Sequence, residues 1–200
     1  MNSVIVFDLG KVLVDFDYGI AAGRIAARSN LSSDKIQPLI EQSRFIIDYE
    51  SGRLTRQEFF ERVCMMTGFS GAIEEFSEFF TAIFTPIQLM IDLHAELRQR
   101  GFKTYIFSNT NDLAIEHICR NFPFFQNFDG YIFSYEVGAM KPGAKIYEAM
   151  EATSGRRGAE IIYIDDRPEN IETGNTRSWK TILHQSPQKS RAILQRFLQS

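Results

Sequence analysis

Short apolar runs alternate with helical patterns over most of the chain. The clearest runs cover residues 2–7, 103–107 and 160–164, and each ends abruptly in polar side chains. Buried parallel strands have this pattern, because helices cover both faces of their sheet. The same alternation predicts strands 131–134 and 179–183, and helices 112–121, 144–153, 168–176 and one from about residue 188. Alternation at this pitch indicates an α/β fold with a Rossmann-like, doubly wound and mainly parallel sheet.

The segment between about Asp17 and Thr85 has a different pattern. Its apolar residues recur at helical spacing, and it contains almost no strand signal. Thr55 and Glu58 have the spacing of a capping box, so one helix is expected to begin there. We interpret the segment as a bundle of about four helices inserted after the first strand.

The inserted bundle divides the chain into two predicted domains. Residues 1–16 and 86–200 are expected to form a catalytic core, and residues 17–85 a small helical cap. Pro86 predicts that the first core helix begins there, with proline in its first turn, and runs to Arg100. A chain of 200 residues is long enough for one core with an inserted cap, but too short for two large independent domains.

The composition is that of an ordinary soluble globular protein. Apolar residues make up 44% of the chain and charged residues 24%, and the net charge is -3. This charge gives no field that attracts polyanions, so we expect no nucleic acid as a partner. The longest apolar run near the start, Val4 to Phe7, stops at Asp8 and is far too short for a secretory signal or a membrane span. The expected location is therefore cytoplasmic, with no membrane partner.

The cysteines and histidines show no metal-binding spacing. Cys64 and Cys119 each lie in a helical pattern without a CxxC or Cys/His motif, and we expect them to be buried free thiols. His94, His117 and His184 are far apart and belong to no HExxH motif, so we interpret them as structural residues.

Polar side chains follow three of the predicted strands. Asp8 follows the first strand, Ser108 ends the second clear run, and Asp165 and Asp166 end the third, while Lys141 lies on a loop. Open α/β sheets bind their ligands at the carboxyl ends of the strands. Three carboxylates collected there without a cation would repel one another strongly. A hard divalent ion removes that repulsion, so the residues predict a metal-assisted phosphate site.

Each predicted site residue has a distinct chemical use. Mg²⁺ prefers oxygen ligands, and one or two carboxylates, a backbone carbonyl and a substrate oxygen are sufficient to hold it. With the charge neutralised, Asp8 can attack a phosphoryl group and form an aspartyl phosphate. Ser108 and the backbone amides after it can donate to the phosphoryl oxygens. Lys141 supplies a compact positive charge beside the nucleophile.

Four motifs carry a resemblance to a known family. In order along the chain they are FDLGKVLVDFD, FSNTN, GAMKPGAKIY and DDRPENIE, with YESGRLTRQEFF in the cap segment. Together these motifs resemble those of the haloacid dehalogenase superfamily. Within it, the whole chain, cap included, is similar to the bacterial α-D-glucose-1-phosphate phosphatases. The resemblance implies a Rossmann-like core with a C1-type helical cap, Mg²⁺ as cofactor, and hydrolysis of a small phosphorylated metabolite. We expect the protein to be a monomer or a weak dimer.

The resemblance also implies a role for each motif residue. Asp8 matches the nucleophile and a metal ligand, and the carbonyl of Gly10 matches the backbone metal ligand. Lys141 matches the motif lysine, which acts in both catalysis and substrate binding. The remaining matches are Asp166 as a metal ligand and Ser108 and Asn109 as phosphate binders. Asp165, the neighbour of Asp166, is also expected among the metal ligands.

Gly10 is a departure from the pattern of the wider superfamily. Most members have a second aspartate at this position, which protonates the leaving group and then activates water. General acid–base help contributes about 10²- to 10⁴-fold to a rate, so its loss would slow the reaction. The glucose-1-phosphate phosphatases share this glycine, and a sugar 1-phosphate has a leaving group that needs less protonation. We therefore expect a preference for sugar 1-phosphates or other good leaving groups.

Two alternatives stay open at this stage. The first is a regulatory protein that binds phosphate esters with little turnover because position 10 is glycine. The second and weaker alternative is a haloacid dehalogenase, since these enzymes also lack the second aspartate. They use no metal, however, whereas Asp165 and Asp166 suit a metal ion.

The residues that select the substrate are expected in the cap, because the core offers only the phosphate site. Tyr18, Arg44 and Tyr49 are polar or aromatic residues at suitable positions, although a solvated helix face would have the same pattern. Asn111 follows the phosphate-binding turn and either reaches a leaving group or caps the next helix.

Overall fold

The structure is a computed structural model that describes residues 3–199. Within this range it has seven strands and eleven α-helices. The strands are β1 Val4–Phe7, β2 Val14–Phe16, β3 Phe84–Pro86, β4 Lys103–Ser108, β5 Gly130–Phe133, β6 Ile161–Asp165 and β7 Lys180–Leu183. The helices are α1 Tyr18–Ala26, α2 Ser33–Glu41, α3 Arg44–Glu50, α4 Arg56–Thr67, α5 Ile73–Thr81, α6 Gln88–Gln99, α7 Asp112–Asn121, α8 Ser134–Val137, α9 Ala144–Ser154, α10 Pro168–Thr176 and α11 Pro187–Gln199.

Five strands form a parallel sheet in the order β5-β4-β1-β6-β7. β1 is central, and Ile5 lies opposite Thr104 of β4 on one side and Ile162 of β6 on the other. All four residues of β1 are buried, as expected for a strand that is covered on both faces. The predicted doubly wound parallel sheet is confirmed.

The two faces of the sheet have separate hydrophobic cores. Side chains alternate between the faces of a strand, so Ile5 and Phe7 of β1 face one way and Val4 and Val6 the other. The first pair packs in a cluster with Met90 and other residues of α6 and α11, and the second packs with residues of α9 and β6. The aromatic residues at 122–133 and Trp179 contribute to these cores.

The inserted segment has a third hydrophobic core of its own. Phe59, Phe76 and Phe80 are fully or almost fully buried there, and their rings contact one another. The chain enters and leaves this unit through the antiparallel pair β2 and β3. The capping box of Thr55 and Glu58 is present, which confirms the predicted start of α4.

Three expectations about local structure are corrected. The inserted segment contains five helices rather than about four, because residues 33–50 form two short helices separated by a turn. Pro86 does not begin a helix but ends β3, opposite Val14, and α6 begins at Gln88. An edge strand tolerates proline, because the missing N–H is not needed for pairing. Cys119 is exposed and Cys64 is half-buried, so the expected buried thiols are wrong.

Among residues 3–199, the structure contains no helix with both the length and the apolar character that a membrane span requires.

Candidate active site

The carboxyl ends of the three central strands bring the predicted chemistry together. Asp8 follows β1, Ser108 ends β4 and Asp165 ends β6, while Lys141 lies on the loop between α8 and α9. They surround or adjoin a cavity of about 520 Å³ between the sheet and the cap. The cavity is lined by Asp8, Gly10, Lys11, Phe16, Tyr18, Glu41, Gln42, Glu50, Ser108, Asn109, Met140, Lys141, Asp166, Arg167 and Asn170.

The Lys141 ammonium is the centre of the site. Its side chain is 1% exposed, and its Nζ lies 2.7 Å from Asp165 Oδ2 and 3.0 Å from Asp8 Oδ1. The same nitrogen donates to the carbonyl of Phe107 at 2.8 Å. Burial alone lowers the pKa of Lys141, but the two carboxylates outweigh burial and raise it above its ordinary value. Lys141 is therefore a fixed cation beside Asp8.

Asp165 holds Lys141 in place. Its carboxylate is fully buried and accepts hydrogen bonds from the Asn170 amide at 3.0 and 3.1 Å, from the Arg167 backbone N–H at 2.8 Å and from the Tyr163 hydroxyl. Burial raises the pKa of Asp165, but Lys141 and these donors outweigh burial and lower it. Both oxygens of Asp165 are thus engaged within the protein.

Asp8 and Asp166 complete a cluster that suits a hard cation. One carboxylate oxygen from each of Asp8, Asp165 and Asp166 lies within 4.8 Å of the others. Burial raises the pKa of Asp8 to about 8, although Lys141 opposes the shift. Burial and the charge of Asp165 raise the pKa of Asp166 as well. One lysine does not balance three carboxylates, so the donor set and its charge fit a divalent cation with oxygen ligands.

The predicted phosphate binders line the same cavity as Lys141. Ser108 is 2% exposed, and its hydroxyl has only a long contact of 3.3 Å with the Asn109 carbonyl. The Asn109 side chain accepts from the Lys141 backbone N–H at 2.8 Å and donates to the Lys141 carbonyl at 3.0 Å. Asn109 therefore fixes the lysine loop with its side chain, and its backbone N–H and second amide N–H can serve an anion.

The space beside Gly10 is filled by an aromatic ring. A Cβ on Gly10 would lie 2.8 Å from Cε1 of Phe16. The Lys11 ammonium lies 4.5 Å from the centre of that ring and donates to the Phe16 carbonyl at 2.9 Å. A second aspartate at position 10 would require Phe16 to move. The position of the Phe16 ring therefore depends on glycine at position 10.

The cap contributes four side chains to the cavity. Tyr18 lies at the start of α1, Glu41 ends α2, Gln42 follows it, and Glu50 ends α3. Sequence reasoning found only Tyr18. The signal for the others is that α2 and α3 each end in a glutamate, which is unfavourable at the negative end of a helix dipole and suggests another use.

The other cap candidates do not reach the cavity. Tyr49 is 2% exposed, stacks on Phe59 and donates to Asp112 of α7. Arg44 is exposed and pairs with Asp48 on its own helix. Asn111 caps α7, with its side chain accepting from the Ala114 N–H at 3.0 Å, and so does not contact a leaving group.

Comparison with known proteins gives consistent matches over most of the chain. A model of the haloacid dehalogenase-like hydrolases matches residues 3–176. A curated D-ribitol-5-phosphate phosphatase of Bacteroides thetaiotaomicron is 26% identical over 184 residues, which cover 88% of this chain and 89% of the relative.

Solved structures share the same fold. A haloacid dehalogenase (HAD)-like family hydrolase from Porphyromonas gingivalis superposes with a TM-score of 0.85 at 24% identity. The superposition covers 99% of this chain and 98% of the other. A HAD family enzyme from B. thetaiotaomicron, solved in complex with magnesium and inorganic phosphate, gives a TM-score of 0.81 at 23% identity. That alignment covers 90% of this chain and 92% of the other.

Proposed function

The chain belongs to the haloacid dehalogenase-like hydrolase family, and from this membership we propose that it is a Mg²⁺-dependent phosphatase of small sugar phosphates. The predicted hydrolase of this superfamily is confirmed. One observation carries the proposal: Asp8 lies 3.0 Å from a fixed Lys141 cation, with Asp166 close by, at the floor of a cap-covered cavity. The ribitol-phosphate phosphatase relative supports the choice of phosphate esters.

Three groups of this chain would hold the metal. We assign them as the carboxylates of Asp8 and Asp166 and the backbone carbonyl of Gly10. Asp165 lies in the same cluster, but its hydrogen bonds assign it to holding Lys141. When bound, Mg²⁺ neutralises the clustered charge and polarises a phosphoryl oxygen.

The remaining residues position and attack the phosphoryl group. The Ser108 hydroxyl and the Asn109 backbone N–H donate to its oxygens, and Lys141 attracts the same group. The free oxygen of the Asp8 carboxylate attacks phosphorus, because Oδ1 is held by the Leu9 N–H at 2.7 Å and by Lys141. The resulting aspartyl phosphate is hydrolysed by water, which releases phosphate and restores Asp8.

The cap side of the cavity favours a neutral polyol as the rest of the substrate. Glu41 and Glu50 present carboxyl groups, and Gln42 and Tyr18 present an amide and a phenol. Glu41, Gln42 and Tyr18 can hydrogen-bond to sugar hydroxyls, and the acidic lining would repel a second phosphate or a carboxylate. The preference for sugar 1-phosphates remains a proposal that rests on Gly10.

A panel assay tests this function. Phosphate release is measured from glucose 1-phosphate, ribitol 5-phosphate, sugar 6-phosphates, nucleotides and an aryl phosphate, with Mg²⁺ or a chelator. We expect Mg²⁺-dependent turnover that Asp8→Asn abolishes, with monophosphates of neutral sugars as the best substrates. Faster hydrolysis of sugar 6-phosphates than of 1-phosphates would refute the 1-phosphate preference.

A regulatory protein that binds phosphate esters is the second candidate. The observation in its favour is that position 10 is glycine and that the Phe16 ring occupies the space where a Cβ would lie. Tight Mg²⁺-dependent binding of a sugar phosphate by calorimetry, without phosphate release, would support it. A dehalogenase is disfavoured by the three clustered carboxylates, which suit a metal rather than a halide.

A further inference from the structure

We propose that Glu50, from the cap, is the acid–base residue of this site. Its carboxyl group protonates the leaving oxygen of the substrate and then takes a proton from the attacking water. The inference rests on the proposed phosphatase function. It concerns a residue that lies 42 positions after the nucleophile in sequence, on α3 rather than on the loop after β1.

Glu50 lines two cavities at the candidate active site. Besides the large cavity, Glu50 lines a smaller adjoining cavity of about 70 Å³ together with Gly10, Phe16 and Ser108. This space lies beside Gly10, which follows the nucleophile Asp8 by two positions, and beside Ser108, the proposed phosphate binder. We infer that the Glu50 carboxyl lies beside the leaving oxygen of a phosphate held by Ser108.

The Glu50 carboxyl is free while its backbone is anchored. The Ser134 hydroxyl donates to the Glu50 carbonyl at 2.5 Å, which fixes the end of α3 against the core. Across residues 3–199, no hydrogen bond or ion pair holds the Glu50 carboxylate, and the positive charge of Arg167 is near enough to act on it. A half-buried carboxyl without a structural partner is available for proton transfer.

The other groups around the cavity are committed or unsuited to the task. Lys141 makes three contacts through its ammonium, Asp165 is saturated with hydrogen bonds, and Asp8 is the nucleophile. Burial raises the pKa of Tyr18 far above neutrality, so it stays a phenol. Glu41 is exposed and does not line the small cavity. The charged or titratable groups that face the cavity with Glu50 are Asp8, Lys11, Tyr18, Glu41, Lys141, Asp166 and Arg167.

The proton moves with the two bond changes of the reaction. As an Asp8 oxygen bonds to phosphorus, the bond to the leaving oxygen breaks, and that oxygen takes the proton of the Glu50 carboxyl. Water then attacks phosphorus, the Asp8–phosphorus bond breaks, and the Glu50 carboxylate takes a proton from the water. The sum is phosphate ester plus water giving alcohol plus phosphate, with both residues restored.

The acidity of Glu50 is consistent with this role. Burial raises its pKa to about 7, and the nearby Arg167 opposes the shift. A group with a pKa near the working pH is populated in both the acid and the base form, which the two steps require. An exposed glutamate would be almost fully ionised and could not protonate an alkoxide.

The test compares the wild-type protein with Glu50→Gln. Glu61→Gln is the matched control, because Glu61 is an exposed cap carboxylate on α4. Two substrates are used: ribitol 5-phosphate, which leaves as a primary alcohol, and p-nitrophenyl phosphate, whose leaving group needs little protonation. kcat, KM and the pH profile are measured with Mg²⁺, and p-nitrophenol release is followed by rapid mixing.

We expect Glu50→Gln to lower kcat for ribitol 5-phosphate by about 10²- to 10⁴-fold and to change KM by less than about threefold. The pH profile should lose its transition near neutrality. With p-nitrophenyl phosphate, the variant should release a burst of about one p-nitrophenol per enzyme and then turn over slowly, because Asp8 still attacks but water is not activated. Glu61→Gln should behave as wild type.

Three results would overturn the proposal. The first is a kcat of Glu50→Gln that stays within about threefold of the wild-type value. The second is an increase in the KM of Glu50→Gln without a change in kcat, which would make Glu50 a binder of substrate hydroxyls. The third is a transition near neutrality that persists in the pH profile of Glu50→Gln, together with no rescue of Glu50→Ala by formate. A wild-type protein that hydrolyses no ester refutes the phosphatase function itself. Wild-type turnover that is lost in Asp8→Asn but unchanged in Glu50→Gln refutes only the role of Glu50.

Discussion

Replacing Asp165 with asparagine separates its role from that of Asp166. The two residues are adjacent and both carboxylates belong to the acidic cluster. Asp165 accepts the Lys141 ammonium at 2.7 Å and is fully buried, whereas Asp166 is half-buried and is raised in pKa by burial and by Asp165. We therefore expect opposite consequences for stability from the same chemical change.

The magnitude follows from the buried ion pair. Removing one partner of a buried ion pair costs about 3–5 kcal/mol. Asp8 still compensates part of the Lys141 charge at 3.0 Å, but the buried hydrogen bonds that Asp165 accepts are lost as well. In Asp165→Asn the new amide also places a donor among the donors of Tyr163, Asn170 and Arg167. With a urea m value of about 2 kcal/mol/M, the midpoint should fall by about 1.5–2.5 M. Asp166→Asn removes a repulsive charge and should leave the midpoint unchanged or slightly raised.

The assay is urea unfolding in the presence of a chelator, followed by activity as a function of Mg²⁺. Asp165→Asn should lose kcat through misplacement of Lys141, while its half-saturating Mg²⁺ concentration stays within about threefold of wild type. Asp166→Asn should require at least about tenfold more Mg²⁺. The reasoning is refuted if Asp165→Asn has a normal midpoint, or if it weakens Mg²⁺ dependence as strongly as Asp166→Asn does.

Three further predictions concern stability. Thr55→Ala removes the capping box of α4 and should lower the free energy of unfolding by about 1 kcal/mol in urea titration, whereas Thr173→Ala should change it little. Gly52→Ala adds a Cβ at φ +70° that would overlap the Tyr135 carbonyl oxygen, so thermal unfolding should show a lower midpoint, which an unchanged midpoint would contradict. Burial lowers the pKa of His94 from 6.5 to about 4. The unfolded state then binds more protons in this range, so stability should fall by about 3 kcal/mol between pH 6.5 and 4, and His94→Gln should reduce that slope in urea titrations.

The regular part of the core was predictable from its local signals. Helix α10 begins at Pro168 as expected, and α7 begins after the Asn111 cap, because proline and asparagine act through their own backbone geometry. Pro86 carried the same signal but ends a strand, since its pairing with Val14 depends on a residue 72 positions away. Long-range pairing of this kind leaves no mark in a local window.

The residues of the candidate site likewise divide into those with a local sequence signal and those whose place depends on long-range packing. Asp8, Ser108 and Asp165 were found because each ends a strand, and the topology of a parallel sheet brings such ends together. Glu50 was missed, because its approach to the cavity depends on how the cap packs on the core through Ser134. The partner of Asn109 was also unforeseen, since its amide is committed to the Lys141 backbone by a fold-dependent contact.

Phosphate release by wild type and Asp8→Asn, side by side with and without Mg²⁺, tests the central claim most directly. The account predicts turnover of at least one sugar or sugar-alcohol monophosphate that requires Mg²⁺ and that disappears in Asp8→Asn, whose fold is checked by its urea midpoint. Turnover that persists in Asp8→Asn, or a folded wild-type protein that hydrolyses none of the esters, would contradict it.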